Sequence, residues 1–154
     1  MTNPISRLAA LAAVTTALCA PAFVSQALAA DTAKAVLQDP DGKEVGTVTL
    51  TAVPSGVLLD ADLTAVPEGT HAFHIHETGK CEAPDFKSAG GHFNPEEDEH
   101  GLKNSAGPHA GDMPNIHVPE NGKLHIEVLN QMVSLPGLFT GEGTAIVLHE
   151  QGDD

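Results

Sequence analysis

Short runs of alternating apolar and polar residues, cut apart by turn residues, constrain this chain more than any other feature. Between Glu44 and Val53, Val48, Leu50 and Ala52 share one face while Thr47, Thr49 and Thr51 share the other. Gly56 to Leu63 repeats the alternation, with Val57, Leu59, Ala61 and Leu63 opposite Asp60 and Asp62. Leu124, Ile126 and Val128 give the pattern again, as do Ile146 and Leu148. Side chains of a strand alternate faces, so each run reads as a strand with one buried side. Asp41-Gly42, Asn121-Gly122 and Pro54-Ser55-Gly56 supply turn chemistry between the runs. With no long 3.6-residue apolar period beyond the N-terminal segment, the pattern predicts an all-β barrel or sandwich.

The N-terminal segment has a different character. Arg7 gives a positive start, Leu8 to Phe23 is rich in Ala and Leu, and Ala27-Leu28-Ala29 forms a small-x-small cleavage signal. Thr and Pro interrupt the run, and it is short for a membrane helix. Residues 1–29 are therefore expected to be a signal peptide, with residues 30–154 forming one exported domain, periplasmic or secreted. Its 125 residues suffice for a modest single core.

Removing the leader also removes Arg7, the only arginine. Six lysines then face 21 acidic residues, a formal charge of −15 against −14 for the whole chain. Such a surface argues against nucleic acid or an anionic membrane as partner. It also means that an anionic substrate needs a local positive focus. Cys19 lies in the leader, so Cys81 is left alone in an exported protein, where thiols usually pair.

Between Glu77 and Asn115 the alternation disappears, and Gly, Pro, Asp, Glu and His dominate. A loop this long in a small domain is either disordered or pinned. The run Glu96-Glu97-Asp98-Glu99 reads as a solvated tip, while the histidines around it point to a metal as the pin.

In His71-Ala72-Phe73-His74-Ile75-His76, strand geometry sends Phe73 and Ile75 into the core together. His74 and His76 then project side by side from the other face, as two ligands of one ion would. Alone, that spacing is weak evidence. Gly90-Gly91-His92-Phe93-Asn94-Pro95 adds a histidine in a Gly-rich turn, and His100 and His109-Ala110-Gly111-Asp112 add two more with a carboxylate. Three imidazoles and one carboxylate suit a closed tetrahedral zinc site that would staple the loop. His149 follows an apolar strand, and imidazole-only ligation suits copper. His117 and His125 fit partly exposed strand positions better than ligand positions, and Met113 and Met132 fit packing better than copper ligation.

These stretches, with Met113-Pro114-Asn115 and Gly143-Thr144-Ala145-Ile146-Val147-Leu148-His149-Glu150, resemble the copper/zinc superoxide dismutase family over nearly all of the exported part. The resemblance implies a Greek-key β-barrel with copper on His74, His76, His92 and His149. It implies zinc on His92, His100, His109 and Asp112, with His92 bridging the two ions and acting catalytically as the group that takes up and returns a proton. His71 matches a structural histidine, and Asp153 falls where the family has a carboxylate linking a ligand of each metal. The implied reaction is conversion of superoxide to oxygen and hydrogen peroxide by a copper redox cycle, an antioxidant role.

The chain departs from the family in two places, at its C-terminal end, where the family's final strand is expected to be missing, and at position 72. Family members continue beyond the position of Asp154 to a final strand carrying a cysteine and an arginine. The cysteine normally pairs with the one at Cys81, a bridge whose loss typically costs about 2–5 kcal/mol. The arginine normally orients the anion beside copper. A sheet edge left unpaired is also a site for association, and a homodimer stays open. Ala72 stands where the family usually has Gly, and little harm is expected from it. The leading expectation is thus a dismutase of reduced activity as written, set against a copper/zinc-binding protein of the same fold with little or no turnover. A bland secreted β domain with surface histidines is the third and weakest reading.

Overall fold

The computed structural model describes residues 31–153, and the leader expected over residues 1–29 lies outside them. Seven strands form: β1 (Thr32–Gln38), β2 (Glu44–Val53), β3 (Gly56–Leu63), β4 (Gly69–His76), β5 (Asp112–Val118), β6 (Leu124–Asn130) and β7 (Ala145–Leu148). They make two antiparallel sheets, one ordered β1-β2-β3-β6 and the other β5-β4-β7. The only helical elements among the described residues are single 3-10 turns at Lys87–Ala89 and Gly137–Phe139.

Register follows the apolar alternation. Val48 lies opposite Ala61 and Leu50 opposite Leu59, while Ala61 and Leu59 face Ile126 and Val128 on β6. These residues line one side of the larger sheet. From the smaller sheet Phe73 sits between Met113 and Leu148, and Ile75 pairs with Ile146. The two apolar faces meet in one cluster that includes Val48, Val57, Leu59, Phe73, Ile75, Met113 and Ile116. Full burial of such side chains contributes about 1.5–3 kcal/mol each, which fixes the strands that carry the histidines.

Local chemistry makes the hairpins. Asp39 Oδ1 accepts the N–H groups of Asp41 and Lys43 (3.0 and 2.9 Å), closing the β1–β2 turn. Asn121 Oδ1 accepts from Lys123 N–H at 3.0 Å before β6.

Two details differ from the sequence reading. The irregular stretch that begins at Glu77 ends earlier than expected, because β5 starts at Asp112. Met113-Pro114 hides that start, and proline is tolerated because β5 is an edge strand. Met113 packs in the core at 4% exposure, but Met132 is 47% exposed and does not pack as expected.

Candidate metal centre

β4 carries its histidines as the strand period requires, but the whole of His71–His76 is buried. Phe73 and Ile75 enter the barrel core, while His74 and His76 lie beneath the long loop at 3% and 8% exposure. The loop is held to β4 by a closed ring of three backbone hydrogen bonds. Ile75 N–H donates to Gly111 O (2.9 Å), Gly111 N–H donates to Phe93 O (2.8 Å), and Phe93 N–H donates to Ile75 O (2.8 Å). Each member stands next to candidate ligands: Ile75 between His74 and His76, Phe93 after His92, and Gly111 before Asp112. The approach is so close that a Cβ on Gly111 would lie 2.2 Å from Ile75 O.

The Gly-rich turn places His92. Gly90 has φ 74°, a conformation that favours glycine, and its neighbour Gly91 donates its N–H to Glu77 Oε1 at 3.0 Å. His149 lies one residue past β7, and its backbone N–H still donates to Ala72 O (2.9 Å). His71 holds the same residue from the other side: its Nδ1 faces His149 O at 2.8 Å and its Nε2 faces Pro67 O at 2.9 Å.

The candidate residues converge into two sets that share one ring, each set with its donor atoms within 4.8 Å of one another. His74, His76, His92 and His149 form the first; His92, His100, His109 and Asp112 form the second. In the second, His92 Nδ1 lies 2.8 Å from Asp112 Oδ1 and 3.4 Å from His109 Nδ1. His109 Nδ1 is 3.5 Å from Asp112 Oδ1, and His100 Nδ1 is 3.0 Å from Asp112 Oδ2. A tetrahedron of zinc bonds of about 2.0–2.1 Å has edges of roughly 3.3 Å, so these residues fit a zinc ion.

The first set fits copper by its donor chemistry. His74 Nδ1 is buried with no hydrogen-bond partner, a cost that a metal bond removes. His76 Nε2 and His149 Nε2 face each other at 3.2 Å. His76 Nδ1 donates to Gly90 O (2.9 Å), which fixes the tautomer and leaves the Nε2 lone pair for the shared centre.

Protonation favours ligation as well. Burial, with the neighbouring His92 and His149 rings, lowers the His74 pKa to about 4. Burial likewise lowers His149 and, against the opposing pull of Asp112, His92. His100 goes the other way: burial works against its charge, but the Asp112 and Asp153 carboxylates outweigh it. Burial would raise Asp112, yet N–H groups of Gly101 and His109 and the rings of His92 and His100 hold it below the usual carboxylate range.

Asp153 spans both sets, with Oδ2 2.7 Å from His100 Nε2 and 3.4 Å from His74 Nε2. Asn115 holds it in place: Asp153 N–H donates to Asn115 Oδ1 at 2.9 Å, and Asn115 Nδ2 donates back to Asp153 O. Sequence reasoning gave no role to Asn115, Glu77 or Asn130, whose partners lie far away along the chain. A cleft of about 460 Å³ opens above the rings, lined by His74, His92, His100 and His149 with Glu150 and Asp153.

The remaining candidates stay apart. His117 is exposed and bonds Thr70 Oγ1 at 3.0 Å, and the exposed His125 lies 3.4 Å from Asp60. Cys81 is a free, exposed thiol whose pKa partial burial raises.

Known proteins resemble this chain in sequence and in fold. The family model for copper/zinc superoxide dismutase matches residues 44–154. A superoxide dismutase [Cu-Zn] of Aquifex aeolicus is 44% identical over 144 residues, covering 90% of this chain and 85% of the relative. Among solved structures, a variant of a superoxide-dismutase-like protein from Bacillus subtilis superposes with a TM-score of 0.75 at 37% identity, covering 79% of this chain and 84% of that one. The Cu/Zn superoxide dismutase of Brucella abortus superposes with a TM-score of 0.67 at 27% identity, covering 80% and 86%.

Proposed function

The chain belongs to the copper/zinc superoxide dismutase family, and on that premise we propose that His74, His76, His92 and His149 hold its copper. In the same reading His92, His100, His109 and Asp112 hold its zinc. The protein is an oxidoreductase that converts superoxide to oxygen and hydrogen peroxide. When bound, copper supplies the one-electron couple, and zinc supplies fixed charge without redox chemistry.

The protein's own groups prepare the site in several ways. His74 Nδ1, His76 Nε2 and His149 Nε2 offer lone pairs, two of them from β4 and the third from the residue just past β7. Asp112 fixes His92 through Nδ1, so the other ring nitrogen, Nε2, turns to the copper set and is the atom at which His92 takes up and releases a proton. Asp153, clamped by Asn115, orients His74 and His100 together. The observation that carries the assignment is the shared ring of His92 between two donor sets, one of imidazoles alone and one with a carboxylate.

Residues 1–29 are proposed to direct export to the periplasm or beyond and to be cleaved near Ala30; N-terminal sequencing of the exported protein tests this. Among the described residues no helix is long and apolar enough to cross a membrane.

Activity is tested by superoxide removal with metal-loaded protein, compared with free copper and with a variant in which His74 and His76 are both replaced by alanine. The wild type is expected to remove superoxide clearly faster than the variant, and to go on doing so with chelator present, where free copper is silenced. Equal rates for wild type and variant would overturn the ligand assignment.

A further inference from the structure

The zinc-side loop is fastened to the larger sheet by one buried side chain that belongs to neither ligand set. Asn130 ends β6 at 6% exposure, and both halves of its carboxamide are used. Its Nδ2 donates to Ala110 O at 2.8 Å, and its Oδ1 accepts Met132 N–H at 2.9 Å. Ala110 lies between His109 and Asp112 and is itself 3% exposed. The remaining peptide groups of that short stretch are bound elsewhere. Gly111 belongs to the ring with Ile75 and Phe93, and Asp112 N–H donates to His109 O at 3.0 Å. Among the described residues, the Asn130 bond thus ties the stretch carrying the two zinc-side donors to the four-stranded sheet.

We propose that Asn130 is a positioning residue for the zinc site: its side-chain N–H fixes the Ala110 carbonyl and so sets the spacing of His109 and Asp112. This rests on the zinc assignment made above. A donor is required there. A carboxylate of the same shape could still accept from Met132 but would set an oxygen against the Ala110 oxygen. Supporting groups around metal ligands typically alter metal affinity by about 10–100-fold when removed. The copper set should feel less: His76 and His149 make no bond to this stretch, and although His74 pairs with Asp112 across the β4–β5 ladder and His92 Nδ1 meets Asp112 Oδ1, His74 keeps its own place in β4 and His92 is also held by the Phe93 N–H bond to Ile75 O.

The test is zinc and copper titration of metal-free full-length protein, wild type against Asn130→Asp, with the cobalt(II) absorption spectrum as a direct report of zinc-site geometry. Zinc affinity is expected to fall 10–100-fold and copper affinity less than threefold, and the cobalt bands should shift or weaken. A zinc affinity within twofold of wild type, or equal losses at both sites, would overturn the proposal. Should Asn130→Asp fail to fold, Asn130→Ser decides by the same two titrations and the same limits. Wild-type protein that takes up no zinc at all would instead refute the zinc assignment itself, a result separable from the first.

Discussion

Replacing Gly111 by alanine tests whether the ring of backbone hydrogen bonds holds the loop to β4. The added methyl carbon would lie 2.2 Å from Ile75 O and 3.0 Å from Phe93 N. Ordinary contact needs roughly 3.4 Å or more, so the backbone must move by over an ångström. Backbone atoms cannot rotate away as a flexible side chain can. The shift opens the Ile75–Gly111 and Gly111–Phe93 bonds, and buried groups left unpaired cost about 1–3 kcal/mol each. The metal-free protein should lose roughly 2–5 kcal/mol. Urea denaturation at pH 7 with chelator reads this as a midpoint about 1–3 M lower, at unchanged slope. Gly91→Ala is the control in the same loop, since its nearest neighbour would be Glu77 Oε1 at an ordinary 3.6 Å. That variant should stay within about 0.5 kcal/mol of wild type. A Gly111→Ala midpoint as little changed as the control's would refute the ring as a fastening.

Metal-free protein should lose stability as pH falls from 7 to 5. The unfolded chain protonates His74 near 6.5 but the folded one only near 4, so the unfolded state binds more protons within that window. His74 alone accounts for about 2 kcal/mol of loss. His92 and His149 act in the same direction and the raised His100 opposes them. Denaturation midpoints that stay flat or rise toward pH 5 would contradict this account of the buried rings. His71→Leu removes the ring contacts to His149 O and Pro67 O, so copper affinity should drop about tenfold or more while zinc affinity changes under about threefold. Equal losses in the two titrations would show that His71 supports the fold and not the position of His149.

Strands β2, β3, β6 and β7 were legible because Val, Leu and Ile repeat at every second position with turn residues between. The β1 strand was not singled out: its inward positions Ala33 and Ala35 are weakly apolar, and Val36 faces out at 52% exposure. The start of β5 was hidden by Pro114, and Met132 gave no sign of lying outside the core. At the metal centre, the histidines and Asp112 were visible as residue types, and strand period gave His74 and His76 a common face. Their supports were not visible. Asn115 meets Asp153 38 positions away, and Asn130 meets Ala110 20 positions away. Asparagine so placed carries no periodic pattern, and only the packed sheets reveal which carbonyl needs its N–H.

The central claim is that six imidazoles and one carboxylate, joined through His92, hold two adjacent cations. Metal analysis after dialysis of full-length protein against zinc and then copper tests it most directly. The account predicts one zinc and one copper per chain, with His109→Ala losing zinc but keeping copper. Uptake of neither ion near one per chain, or loss of copper alone in His109→Ala, would contradict it.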